Sequence, residues 1–321
     1  MQNETEKPRL SISFSGGRSS AVMTKILLEK MADTHDIIVT FANTGCEHEA
    51  TLQFVHDCDR LWNFNTVWLE AVIGPEGVGP RAKVVTFETA SRNGEPFEAA
   101  IAKHGLFNAA MPNCTGRLKV DVMRAYLRDH RGWPSGSYLT AVGIRADEID
   151  RMSKSARDQQ LIYPLVNLGI GKKQVVAMMK SAPFDLQIPG EHYGNCVWCW
   201  KKTMRKLLTV AKHNPEAFDF PKRMEAQYGH VMPQRMREKG FWQGKTRVIF
   251  RHDVSTEDIL RQAKEGNFEE YRDKTEQKEF PFWEDAWDEQ LDVGGGCGDS
   301  CEIGADDDSD LIYLGEDHAA G

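Results

Sequence analysis

The sequence predicts an α/β fold, a doubly wound and mostly parallel sheet followed by a helical C-terminal extension and a flexible acidic tail. Three observations carry that expectation. Short apolar runs alternate with helical periodicity from Leu10 to Lys180, the first run breaks into two adjacent glycines flanked by hydroxyls, and the pattern changes near Asn195 to helices with basic faces. Strands alternating with helices form parallel sheets whose ligands sit at the carboxyl ends of the strands.

Leu10 to Phe14 reads as the first strand, Ser15 to Ser20 as a turn, and Ala21 to Leu28 as the helix that follows. Glycines let a backbone approach an anion closely, and a helix start aims unpaired N–H groups and its positive dipole end at the same place. Gly16 and Gly17 therefore suit a phosphate loop, to which Ser15, Ser19 and Ser20 add hydroxyls and Arg18 a cationic fork. Ile37 to Phe41 reads as a buried parallel strand ending in Asn43-Thr44-Gly45, and His48 to Trp62 as a helix. Thr66 to Glu70 is a third strand, Gly74 to Pro80 a loop, and Glu95 to His104 and Arg117 to Arg128 are helical. Ser137 to Arg145 is a fourth strand and Lys172 to Lys180 a further helix. Three loops should converge: Ser15 to Ser20, Asn43 to Cys46, and Arg145 to Glu148.

The expected organisation is a nucleotide-binding α/β unit over residues 1–194, a helical basic extension over 195–290, and an acidic tail over 291–321. The chain has 321 residues, is 40% hydrophobic and carries a formal net charge of −8. Leu291 to Gly321 holds nine Asp or Glu and no Lys or Arg, so the other 290 residues sum to +1. Lys201 to Arg251 holds thirteen Lys or Arg against four acids, a block suited to a phosphate backbone of tRNA or DNA or, equally, to a solvated helical surface. No apolar run is long enough for a membrane helix and the N-terminus is too polar for a secretory signal, which predicts a cytoplasmic protein with no membrane partner.

Seven cysteines, unevenly scattered, point to metal or redox chemistry rather than a disulfide framework. Cys196 and Cys199 form a C-x-x-C whose turn can present two sulfurs to one metal, with Cys114 as third ligand. Three thiolates suit a 4Fe-4S cluster with one open iron; zinc with a fourth ligand from His192, Cys297 or Cys301 is the alternative. Cys46 is a candidate reactive thiol and Cys58 a core residue. Gly143 to Arg151 closes the fourth strand and brings Arg145 and Arg151 to the phosphates, with Asp147 and Glu148 as candidate holders of Mg²⁺.

Together these segments resemble the phosphoadenosine phosphosulfate reductase family of the PP-loop superfamily, the adenine nucleotide alpha-hydrolase fold. Ser15 to Ser20 looks like that family's S-G-G-K-D-S, Asn43-Thr44-Gly45 its D-T-G, Cys114 to Val120 its C-C-x-x-R-K-V, Gly143 to Arg151 its G-x-R segment, Tyr163-Pro164-Leu165 its P-[IL], and Cys196/Cys199 its C-x-x-C. The chain departs from it at Arg18, Ser19 and Thr115. The resemblance implies an adenine nucleotide, ATP or adenylyl sulfate, a 4Fe-4S centre, and a thiol or sulfur donor. It further implies sulfonucleotide reduction, with Cys297 or Cys301 of the tail as nucleophile and Arg145 in the site. Two alternatives stand beside it: ATP-dependent sulfur transfer to tRNA or DNA, and a non-catalytic nucleotide-sensing module.

Overall fold

The computed structural model describes residues 7–75, 78–231 and 246–273. Its strands are β1 (Arg9–Ser13), β2 (Asp36–Asn43), β3 (Val67–Val72), β4 (Arg81–Val85), β5 (Leu139–Val142) and β6 (Leu161–Ile162), ordered β4-β3-β2-β1-β5-β6. All neighbouring pairs are parallel except β3 with β4. The doubly wound sheet expected from the sequence is present, and two of its strands were not legible there. β4 is an antiparallel edge strand whose Arg81 and Lys83 face solvent, so it carries no buried run, and β6 is two residues long.

Chain order reverses at β1, which pairs with β2 on one side and β5 on the other. Ser13 lies in register with both Thr40 and Val142, so the exits of the three central strands open toward one end of the sheet. A crevice outside those ends is where open α/β sheets take ligands.

Helices cover both faces. On one side α1 (Arg18–Met31), α2 (Glu49–Trp62) and α6 (Lys172–Lys180) bury Val22, Phe54, Val55 and Met179 against Leu10, Ile12 and Phe41. His48 starts α2 by accepting the Ala50 amide at 3.1 Å, and Asn63 ends it in the left-handed conformation. On the other side lie α3 (Glu95–His104) and α4 (Asp121–Arg131), the latter entered through a π-helical turn at Gly116–Val120. The short α5 (Pro164–Asn167) follows β6. α7 (Met204–His213), α8 (Asp219–Tyr228) and α9 (Thr256–Glu265) also pack on the α3/α4 side, where Trp198, Leu207, Phe218 and Ile259 share one apolar cluster with Leu69 and Val142 of the sheet. No helix among the described residues is long and apolar enough to cross a membrane.

Candidate functional site

The turn after β1 is a hydroxyl-closed loop. The Ser15 amide donates to Ser20 Oγ at 3.2 Å, the two hydroxyls lie 2.8 Å apart, and Ser20 Oγ donates to the Gly17 carbonyl at 3.0 Å. Gly16 has φ +82°, and a β-carbon there would stand 2.7 Å from Thr51 Cγ2, so this turn lies against α2 and requires glycine. Gly17 begins α1 without a side-chain cap, which leaves the first-turn amides at the sheet's carboxyl end for a ligand. Arg145, buried at the exit of β5, donates to Ser19 Oγ at 3.0 Å and so joins the first and third loops. Gly143 lies between β5 and Arg145.

Two neighbouring cations and both candidate Mg²⁺ ligands are engaged within the protein. Arg18 forms a fork on Asp185 at 2.7 and 3.1 Å and donates to the Leu186 carbonyl at 2.7 Å, so its guanidinium turns toward that segment rather than into the loop. Arg151 pairs with Glu148, Glu148 and Asp147 both pair with Arg145, and Asp147 accepts the Lys172 amide at 2.9 Å. Among the described residues, no three metal-ligating side chains stand as a group that could hold an ion.

In the loop after β2, Asn43 is tied into the fold: its amide donates to Glu70 at 2.8 Å and to the Ser91 carbonyl at 2.9 Å, and its oxygen accepts the Gly45 amide at 3.2 Å. Gly45, at φ +78°, packs against the Gly94 backbone. Glu47 is a buried carboxylate, accepting from the Thr44 amide at 2.9 Å and hydroxyl at 2.8 Å and pairing with the buried Lys119 at 3.4 Å. Thr44 Oγ1 lies 3.6 Å from Cys196 Sγ. Burial, with Cys196 and Glu47 nearby, pushes the Cys46 thiol up, which opposes the reactive thiolate expected of it. Cys58 is buried in the core as expected.

The C-x-x-C loop is stitched onto this second loop, with the Val197 amide donating to the Cys46 carbonyl at 3.2 Å. Asn195, in the left-handed region at φ +56°, turns the chain into it. Beneath it Lys202, only 2% exposed, donates to the Cys196 and Val197 carbonyls at 2.9 and 2.8 Å. Cys114, Cys196 and Cys199 line one small cavity of about 20 Å³, which Thr44 and Lys119 also line. Trp200 lines it too, and its indole N–H is buried without a hydrogen-bond partner. The three thiols are thus gathered, though not closely enough to form a single-ion site.

Among the described residues, four cations of the basic block are ion-paired. Arg205 pairs with Glu269, Lys212 with Glu270, Lys222 with Glu257 and Arg223 with Glu98, while Arg247 and Arg251 donate to main-chain carbonyls. The packing of α7, α8 and α9 brings Glu257, Glu269 and Glu270 onto these cations, and the contact of α8 with α3 brings Glu98. Residues 232–245 of the block, and Cys297 and Cys301 of the tail, lie outside the described residues.

Glu47, Lys119, Trp200 and Lys202 were not singled out as a group by the sequence. Lys119 and Glu47 stand next to motifs, at Cys114 to Val120 and after Thr44, but only the packing of the π-helical turn against the β2 exit reveals them as partners.

Comparison with protein-family models finds none that matches. The uncharacterized nin region protein ORF290 of Escherichia phage lambda is 30% identical over 298 residues, covering 91% of this chain and 94% of that protein. An uncharacterized protein of Methanocaldococcus jannaschii is 21% identical over 253 residues, covering 75% of this chain but 47% of its own length. Among solved structures, the U34-tRNA thiolase NcsA from Methanococcus maripaludis with its 4Fe-4S cluster aligns over 72% of this chain and 75% of that one, at 15% identity and a TM-score of 0.32. That likeness is too loose to carry any residue's role across.

Proposed function

The chain belongs to the family of the nin region protein ORF290 of Escherichia phage lambda, and we propose for it an ATP-dependent sulfur-transfer activity on a nucleic-acid base. The observation that carries this reading is the meeting of Cys114, Cys196 and Cys199, from two separate segments, in one cavity lined also by Thr44 of the loop beside the phosphate loop. A nucleotide site and a sulfur site so placed serve one reaction.

ATP lies with its phosphates on Ser15, Gly16, Gly17, Ser19 and Ser20, with Arg145 beside them and Thr44 and Gly45 at its edge. Arg151 and Arg18 act at one remove, through Glu148 and Asp185, and Asn43 holds its loop in shape. A base carbonyl oxygen attacks the α-phosphorus and pyrophosphate leaves. Sulfide, as HS⁻, then adds to the carbon that bears the activated oxygen and loses its proton, and AMP departs with that oxygen to leave a thiocarbonyl. No oxidant or reductant is consumed when sulfide is the source.

The donor set fits a 4Fe-4S centre in kind. Three thiols share a cavity with a lysine and an unpartnered indole N–H, groups suited to a sulfur-rich anion, and a cluster spreads its thiolates more widely than a single ion does. When bound, the centre supplies an iron position at which sulfur is held before transfer.

The test is anaerobic iron and sulfide content, followed by incubation with ATP, sulfide and bulk tRNA or DNA while pyrophosphate and thiolated nucleosides are measured. About four irons and four sulfides per chain, and thiolation, both lost in Cys196→Ala, are expected. Reduction of an adenylyl sulfate to sulfite that depends on Cys297 or Cys301 would replace this reading with the reductase one. ATP binding without turnover on any acceptor would leave the sensing module.

A further inference from the structure

A second cavity lies at the other end of the sheet, between α4 and the amino-terminal halves of β5 and β6, with about 250 Å³ open to small molecules. It has no part in the chemistry above, and nothing in the sequence reading pointed to it. Its floor is polar where a sheet face under a helix is ordinarily apolar. Ser11 of β1 and Thr140 of β5 are register partners, which sets their hydroxyls side by side beneath α4. Tyr138 stands next to them, and Ser11 and Tyr138 are 1% and 8% exposed. None of the three side chains hydrogen-bonds to another group among the described residues. Buried polar groups ordinarily find partners, and hydroxyls open to a cavity are satisfied by what fills it.

The rim holds two opposite charges, Arg124 on α4 and Asp158 in the turn before β6, both exposed and neither ion-paired among the described residues. α4 contributes the apolar side chains Met123 and Leu127, and Leu161, the register partner of Thr140 on β6, adds another beside the hydroxyls. A guanidinium matches a carboxylate, a carboxylate matches an ammonium, and a lining of hydroxyls and apolar side chains takes a short side chain of mixed character. We propose that this cavity binds a small zwitterion, a free α-amino acid. Its carboxylate lies on Arg124, its ammonium on Asp158, and its side chain lies over Ser11, Tyr138 and Thr140.

The full chain is titrated calorimetrically with each of the twenty amino acids, then with the N-acetyl and carboxamide forms of any that binds. Saturable binding of at least one amino acid is expected, weakened about tenfold or more by either blocking group and by Arg124→Gln or Asp158→Asn, each of which removes one charge-assisted bond. Both substituted residues are exposed, so circular dichroism and thermal melting of the variants should match the unmodified chain. Ser11→Ala should change which amino acid is preferred. The assignment is overturned if no amino acid binds at millimolar concentration, if the blocked forms bind as tightly as the zwitterion, or if both rim variants bind as the unmodified chain does. None of these outcomes depends on ATP, metal or sulfur transfer, so the proposal stands or falls apart from the activity at the opposite end of the sheet.

Discussion

Replacing Gly16 by alanine isolates what the phosphate loop demands of its backbone. At φ +82° an L-residue sits in the left-handed region, at a cost of roughly 1–2 kcal/mol. The added methyl would also stand 2.7 Å from Thr51 Cγ2, 3.1 Å from Val55 Cγ2 and 3.2 Å from Phe41 Cε2. All three neighbours are buried, so the methyl cannot be relieved by turning a free side chain outward, and overpacking of this kind costs typically 1–3 kcal/mol. The sum is about 2–5 kcal/mol, a large part of an ordinary domain's stability. Gly132 supplies the control, because at φ +64° it has nothing within 4 Å of its would-be β-carbon and bears only the conformational term. Urea unfolding at constant slope should therefore place Gly16→Ala below Gly132→Ala by about 1–3 kcal/mol. ATP affinity, measured by calorimetry, should fall about tenfold or more in Gly16→Ala and stay unchanged in Gly132→Ala. Equal destabilisation of the two variants, or intact nucleotide affinity in Gly16→Ala, would refute the steric account of this loop.

Lys119→Met would leave Glu47 buried without its cation, at a cost of about 3–5 kcal/mol, reduced toward the lower end by the amides that still bond the carboxylate. Adding Glu47→Gln to it should recover part of that loss in denaturant titrations, and a Lys119→Met cost below about 1 kcal/mol would mean the pair is solvent-screened. His192 is pushed down from 6.5 to about 4, first by burial and then by Lys202 and Lys206, so it is neutral in the folded chain while the unfolded chain takes up a proton. Stability contributed by the neutral ring is present above pH 6.5 and lost as pH falls from there toward 4. His192→Gln should flatten that part of the stability profile by about 1 kcal/mol, and an unchanged slope would count against the burial argument. Trp200→Phe removes a buried donor that lacks a partner, so the metal-free protein should keep or gain up to about 1 kcal/mol. Iron retention during anaerobic dialysis should fall in the same variant, and retention equal to the unmodified chain would exclude an indole contact to the centre.

Strands β1, β2, β3 and β5, the helices that follow the first two, and the loop after β1 were legible because their signals are local. An apolar run ending in Gly16-Gly17 and a helical repeat specify backbone geometry within a few residues, and the positive φ at Gly16, with Thr51 packed against it, suits glycine. Cysteine spacing likewise marked Cys196 and Cys199 as a pair and Cys114 as their associate, all three of which line one cavity. Sequence-distant pairing could not be read the same way. Arg18 looks like a phosphate ligand until Asp185, 167 residues away, takes its fork, and four cations of the basic block, Arg205, Lys212, Lys222 and Arg223, meet acids that lie far from them in the sequence. Asn43 and Glu70 share a hydrogen bond because β2 and β3 are neighbours in register, which no composition records. The sequence by itself determined the layered sheet and the chemical types available at its carboxyl end. Only the tertiary structure decided which charges were cancelled and which thiols met, because ion pairing and cavity formation depend on distances between segments that the chain leaves far apart.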